Sequence, residues 1–67
     1  MSGSVGTAIH DEIKRNYQLL ESYHGIGPAG VFGATMIQAD LDAAHKALQD
    51  DDVIEILRVY ERLKGNK

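Results

Sequence analysis

The stretch from Gly27 to Tyr60 decides the fold, and it reads GPAGVFGATMIQADLDAAHKALQDDDVIEILRVY. Apolar residues recur at helical spacing before and after the acidic run Asp50–Asp52. Aspartates favour helix starts, and the last of these three with Glu55 has the spacing of a capping box. The stretch therefore predicts a helical hairpin with helices over 29–49 and 52–64.

Each predicted hairpin helix has one apolar stripe, which we expect to be buried. On the second helix this stripe consists of Phe32, Met36, Ile37, Leu41, Ala44 and Leu48. On the third helix it consists of Val53, Ile56, Leu57, Tyr60 and Leu63. Ile54 and Val59 are apolar residues off that stripe, and Asp40 is expected to face outward.

An N-terminal helix over 5–24 is predicted from the recurrence of apolar residues such as Ile9, Ile13 and Leu20, with Asn16 on a remaining face. Gly25 is expected to end it in the left-handed conformation. The segments 1–4 and 65–67 are predicted to be flexible. The fold class is all-α: residues 1–67 form a single helical domain, in which the N-terminal helix covers the hairpin.

The chain is small and lacks the usual covalent support for a small core. It has 67 residues and no cysteine, so disulfides and thiolate metal sites are excluded. A core of this size is marginal, which favours completion of the fold as a homodimer or higher homo-oligomer.

The net charge of −3 makes direct nucleic-acid binding an unfavoured hypothesis. No signal peptide and no membrane-spanning stretch are predicted, which favours a cytoplasmic location.

The residues that carry most catalytic chemistry are sparse. The histidines at positions 10, 24 and 45 lie too far apart for a helical metal pair. Ser22 and Thr35 carry hydroxyl groups that could act as nucleophiles, but the sequence shows no general base beside them and no acid that would orient such a base. We therefore predict no enzyme activity, no cofactor and no catalytic or metal-binding residues.

The connection from Gly27 to Gly33 is richer in glycine than a simple turn requires, and a binding surface is predicted around it. The predicted partner-binding residues are Leu19, Tyr23, Ile26, Val31 and Phe32, with Arg58 and Arg62 as rim anchors. The glycines also permit close helix packing. Alternatively, the helix start is an anion site formed by Gly30, Gly33, Lys14 and Arg15.

The C-terminal half carries a pattern of apolar and charged positions at Phe32-Gly33, Met36-Ile37, Leu41, Ala44, Leu48, Asp52-Val53, Leu57-Arg58, Tyr60-Glu61 and Leu63-Lys64. With this pattern it resembles small proteins of phages and prophages of Gram-negative bacteria. Members of known role tend to be accessory factors that bind a host protein, and the anti-activators of quorum sensing among them are small helical dimers. The resemblance thus implies a protein-binding role in the host cytoplasm.

These observations predict a non-enzymatic protein-interaction module, which would inhibit a host protein such as a transcriptional regulator by occupying its surface. One alternative is an oligomer that binds and sequesters a small ligand or nucleotide at the anion site. Another is a small DNA-binding regulator.

Overall fold

The computed structural model describes residues 5–67, which form three α-helices. Helix α1 spans Val5–Ile26, α2 spans Val31–Gln49 and α3 spans Val53–Gly65. A 3-10 turn at Pro28–Gly30 joins α1 to α2. The described part of the chain contains no strand, so the prediction of an all-α three-helix fold is confirmed. The predicted flexibility of residues 1–4 lies outside the described residues.

The three helices pack against one another in every pairwise combination. At 1.5 Å per residue, α1 is about 33 Å long, whereas α3 is about 20 Å long. The molecule is accordingly elongated, with principal extents of 41 × 20 × 17 Å. We call the end at the α1–α2 connection the upper end. No helix within residues 5–67 is both long enough and apolar enough to cross a bilayer.

The acidic run between α2 and α3 ends one helix and begins the next, as predicted. Asp51 has a φ of 55°, and the backbone N–H groups of Asp51 and Asp52 donate to the carbonyls of Leu48 and Ala47. This is the hydrogen-bond pattern of a Schellman motif. The Asp52 carboxylate then accepts a hydrogen bond of 3.2 Å from the backbone N–H of Glu55, and so caps α3.

The end of α1 differs from the prediction, because the special backbone conformation lies at Gly27 and not at Gly25. Gly25 remains within the helix, which continues to Ile26. Gly27 has φ 92° and ψ −148°, a region that is open essentially to glycine alone. A residue before proline is pushed out of the helical region, so the chain reverses at the residue next to Pro28.

The core runs between all three helices. Its buried residues are Ile9, Ile13 and Leu20 of α1, Ala34, Ile37, Leu41, Ala44 and Ala47 of α2, and Val59 and Leu63 of α3. Leu19, Tyr23, Ala43, Leu48, Ile56 and Tyr60 are partly buried against this core. Much of the α2 contribution comes from alanine, which allows the helices to lie close together.

Two members of the predicted α2 stripe are not buried. Phe32 is 78% exposed and Met36 is 53% exposed, whereas Ala34 and Ala47 are buried in the core. Phe32 and Met36 are four residues apart and share a face of α2 that lies above the region covered by α3. Their exposure therefore follows from the shortness of α3.

The buried face of α3 is rotated relative to the prediction. Val59 is fully buried, although the sequence pattern predicts it off the inner stripe, and Val53 and Leu57 are exposed. The contacting face is the one shared by Ile56, Val59 and Leu63. Neighbouring helical positions differ by about 100°, so two overlapping apolar stripes on one short helix predict different faces.

Two polar residues expected to face solvent instead face the interior. Asn16 is fully buried, and its amide donates to the carbonyls of Glu12 at 2.8 Å and Leu63 at 3.2 Å. Asp40 is half-buried and accepts hydrogen bonds from Arg62 and Asn66. The buried amide is tolerated because its hydrogen-bonding groups find partners.

Candidate functional site

Polar contacts fix the level at which α3 ends. The Arg62 guanidinium lies 3.2 Å from the Asp40 carboxylate on α2. The Asn66 side chain donates to Asn16 on α1 at 2.9 Å and to Asp40 at 3.1 Å. Asn66 and Lys67 were predicted to belong to a flexible tail, but in the structure both are hydrogen-bonded to α1. The third helix therefore stops beside the middle of α1 and α2.

Arg15 completes this contact by binding the carbonyl oxygens at the C-terminal end of α3. Its guanidinium donates to the carbonyls of Leu63 at 2.7 Å and Asn66 at 2.9 Å, and it also pairs with Glu12. The last carbonyls of a helix lack partners within the helix and carry its negative dipole end. A cation at this position satisfies both requirements, so Arg15 has a structural partner within the chain.

The α2 surface that α3 covers continues upward beyond its end. Ala47, Ala43, Asp40, Met36 and Phe32 follow one another at spacings of four, three, four and four residues, and thus form one row along the helix. The lower members of this row are buried or contact α3. Met36 and Phe32 continue the same row and are 53% and 78% exposed.

The facing surface of α1 continues in the same way. Asn16, Leu19, Tyr23 and Ile26 are spaced by three, four and three residues, and Asn16 contacts the end of α3. The next three residues of the row extend past that end. From this helical spacing we infer that the two rows lie side by side above the end of α3, and we call Leu19, Tyr23, Ile26, Phe32 and Met36 the upper groove.

The floor of the upper groove is formed where Tyr23 crosses α2. A Cβ on Gly33 would lie 2.9 Å from the Tyr23 ring, and a Cβ on Gly30 would overlap the Tyr23 carbonyl oxygen. The two glycines thus allow α1 and α2 to approach closely, which is the packing role considered from sequence. The Tyr23 hydroxyl donates to the carbonyl of Lys67 at 2.6 Å. This bond marks the lower limit of the groove.

The predicted partner-binding residues fall into three places. Leu19 and Tyr23 are half-buried in the upper groove, and Ile26 and Phe32 are exposed along it. Val31 is 59% exposed but lies about 100° around α2 from Phe32, on another face. Arg62 is bound to Asp40 at the lower end of the groove, and Arg58 pairs with Glu55 one turn further down.

The residues of the alternative anion site do not converge on one point. Lys14 lines a shallow depression of about 300 Å³ together with Tyr17 and His24. Arg15 is bound to the end of α3, and Gly30 and Gly33 lie against the tyrosine that crosses α2. Each of these groups contacts a different part of the molecule, so their arrangement supplies no additional support for an anion site.

Two of the histidine and hydroxyl side chains named for catalysis, His45 and Thr35, form hydrogen bonds with nearby groups. His45 Nε2 lies 2.9 Å from the Tyr17 hydroxyl, and the Thr35 hydroxyl donates to the carbonyl of Val31 at 2.8 Å. Within residues 5–67, no three histidine, cysteine, aspartate or glutamate side chains are arranged to hold a metal ion.

Met36 belongs to the upper groove, whereas the sequence pattern predicts it in the core. The relative lengths of the predicted helices contained the necessary signal, because a third helix over 52–64 is much shorter than a second helix over 29–49. An apolar row on the longer helix must therefore extend beyond its cover. The row from Phe32 through Met36 to Asp40 begins in that uncovered part.

Comparison with protein-family models, with curated proteins and with solved structures finds no match.

Proposed function

We propose that this chain is a non-enzymatic protein-interaction module whose binding surface is the upper groove. The observation that carries the proposal is the continuity of the groove with the surface on which α3 lies. Both α1 and α2 present a row of side chains that receives a helix in its lower half and is open in its upper half. A surface shaped for a helix and lined with apolar groups is suited to receive an amphipathic helical face.

Apolar burial would supply most of the binding free energy. Phe32 and Met36 on one side and Ile26 on the other are each more than half exposed. Burying a large apolar side chain contributes about 1.5–3 kcal/mol, and aromatic residues at the centre of an interface often dominate its affinity. We assign Phe32 as the main anchor. Arg62, already paired with Asp40, lies at the edge and contributes less.

The biological setting that we propose follows from the resemblance of the C-terminal half to small phage and prophage proteins. In that setting the module is encoded by a phage and acts in the cytoplasm of the bacterial host. It would inhibit a host protein, such as a transcriptional regulator, by covering a helical surface which that protein needs for its own contacts.

The proposal is tested by affinity capture from a bacterial lysate with three tagged baits. These are the unmodified chain, the double variant Phe32→Asp/Met36→Asp, and Val31→Asp as a matched control. Val31 is also exposed and adjoins Phe32, but it lies outside the groove. We expect the unmodified chain and the control to retain a common host protein that the double variant loses, because an aspartate cannot be buried unpaired.

Each retained protein is then purified and titrated against the same three chains. Selective loss of affinity with the double variant is the expected result. Equal retention by all three baits, or retention by none, would contradict the proposed use of the groove for host proteins.

A further inference from the structure

The exposed residues that flank the upper part of the groove on α1 and α2 are uncharged, whereas Lys67 lies at its lower limit. On α1 the exposed residues next to the groove are Gln18 and Ser22, and on α2 they are Thr35 and Ala39. Lower down, Asp40 is neutralised by its pair with Arg62. The chain has a net charge of −3, so two copies repel each other overall. The groove is a surface on which two copies can meet without that repulsion.

The size of the exposed apolar area agrees with a contact between two such grooves. Ile26, Phe32 and Met36 are 59%, 78% and 53% exposed, and the half-buried Leu19 and Tyr23 adjoin them. Two of these surfaces in contact would bury on the order of 1,000 Å² in total, which is the lower bound for a specific interface. Additional contacts from the uncharged borders would increase that area.

We infer that the upper groove of one copy is occupied by the upper groove of a second copy, related to the first by a two-fold axis. In the resulting dimer, the upper halves of α1 and α2 from both copies form a four-helix layer. Each α3 remains on its own copy beyond this layer. The inference rests on the proposed use of the upper groove as a binding surface, and it specifies the partner of that surface.

A two-fold arrangement is the simplest one that covers both grooves completely. Because the contacting surface is the same on each copy, the dimer closes and leaves no groove free to extend a chain of subunits. A host helix would then have to compete with the second copy. Self-association in this form therefore inhibits binding to other proteins by competition.

The test is sedimentation equilibrium of the unmodified chain, Phe32→Asp/Met36→Asp and Val31→Asp at the same concentrations. We expect the unmodified chain and the Val31 control to approach twice the 7.3 kDa of a single chain. The double variant should remain at the single-chain mass. Circular dichroism checks that its helix content is unchanged, which we expect because both replaced side chains are mainly exposed.

A second measurement avoids charged substitutions altogether. The sequence has no cysteine, so Met36→Cys and Val31→Cys each carry one thiol that reports a single position. With a short bismaleimide, Met36→Cys should form covalent dimers at least tenfold faster than Val31→Cys. Equal rates for the two variants would overturn the inference, as would a dimer that persists in Phe32→Asp/Met36→Asp.

The two proposals can fail separately. If the unmodified chain is monomeric but captures a host protein through Phe32, the second copy is not the occupant and the proposed function stands. If the chain forms a groove-dependent dimer but captures nothing, the inference stands and the host-protein function is overturned. A monomer that captures nothing would overturn both.

Discussion

A methyl group placed on Gly30 would overlap the carbonyl oxygen of Tyr23 and would lie 3.2 Å from the Cβ of Ile26. The first of these neighbours is backbone, so it cannot turn aside as a flexible side chain can. A larger residue at position 30 must therefore push the upper ends of α1 and α2 apart. Because these ends form the upper groove, the glycine determines both the stability and the shape of the candidate site.

Gly30→Ala should lower the free energy of unfolding by about 1–3 kcal/mol, the range for overpacking a close contact. Gly25→Ala is the matched control, since Gly25 is helical and a Cβ there meets nothing within 4 Å. That substitution should instead stabilise the protein by up to about 1 kcal/mol through helix propensity. Urea unfolding followed by circular dichroism, at one fixed protein concentration, measures both. Similar effects of the two substitutions would contradict the packing role of Gly30.

Asn16 illustrates what a single sequence could not reveal at the scale of the residue. An asparagine amid charged neighbours is expected on the surface. Its burial depends on Leu63 and Asn66, which lie 47 and 50 residues away in the chain. No local pattern encodes such a contact. The exposure of Phe32 has the same origin, because it depends on where another helix ends.

At the scale of the element, the α2–α3 junction was the feature best predicted from sequence. Three consecutive aspartates indicated both the end of α2 and the cap of α3, and the structure assigns these roles to Asp51 and Asp52. Capping depends on residues close together in sequence, which is why it could be predicted. The rotation of α3 could not, because the choice between Leu57 and Val59 as inner residues depends on the surfaces of α1 and α2.

Asp51 adopts a left-handed conformation, with φ 55°, that glycine adopts more readily. Asp51→Gly should therefore raise the free energy of unfolding by about 0.5–1 kcal/mol. Asp50 has a right-handed helical backbone conformation, so Asp50→Gly is the control. It should lower stability by a similar or slightly larger amount, because glycine adds freedom to the unfolded chain there and the exposed ion pair between Asp50 and Lys46 is lost. Thermal unfolding of both variants distinguishes them, and a loss of stability in Asp51→Gly would refute this view of the turn.

At the scale of the whole molecule, the unequal lengths of the helices explain the candidate site. The two long helices run to the upper end, whereas α3 stops beside Asn16 and Asp40. The lower half is a three-helix unit with a shared core, and the upper half is a helix pair with one side open. All-α composition and the hairpin were evident from periodicity. The unequal lengths of the predicted helices indicated that α2 extends beyond α3, but which side chains line the open side depends on how the helices pack together.

Nuclear magnetic resonance of the Met36 methyl group tests the upper groove as a binding surface most directly. The chain contains two methionines, Met1 and Met36, so ¹³C-methyl labelling gives a simple spectrum, and Met36→Leu assigns the groove signal. We predict that the Met36 signal shifts when the protein is diluted from about 1 mM to about 10 μM, as mass action dissociates the dimer. The chemical shift of the Met36 methyl group should not change on dilution in the Phe32→Asp variant. In a chain that sediments at the single-chain mass, a Met36 signal that changes neither on dilution nor on addition of bacterial lysate would contradict the groove as a binding surface.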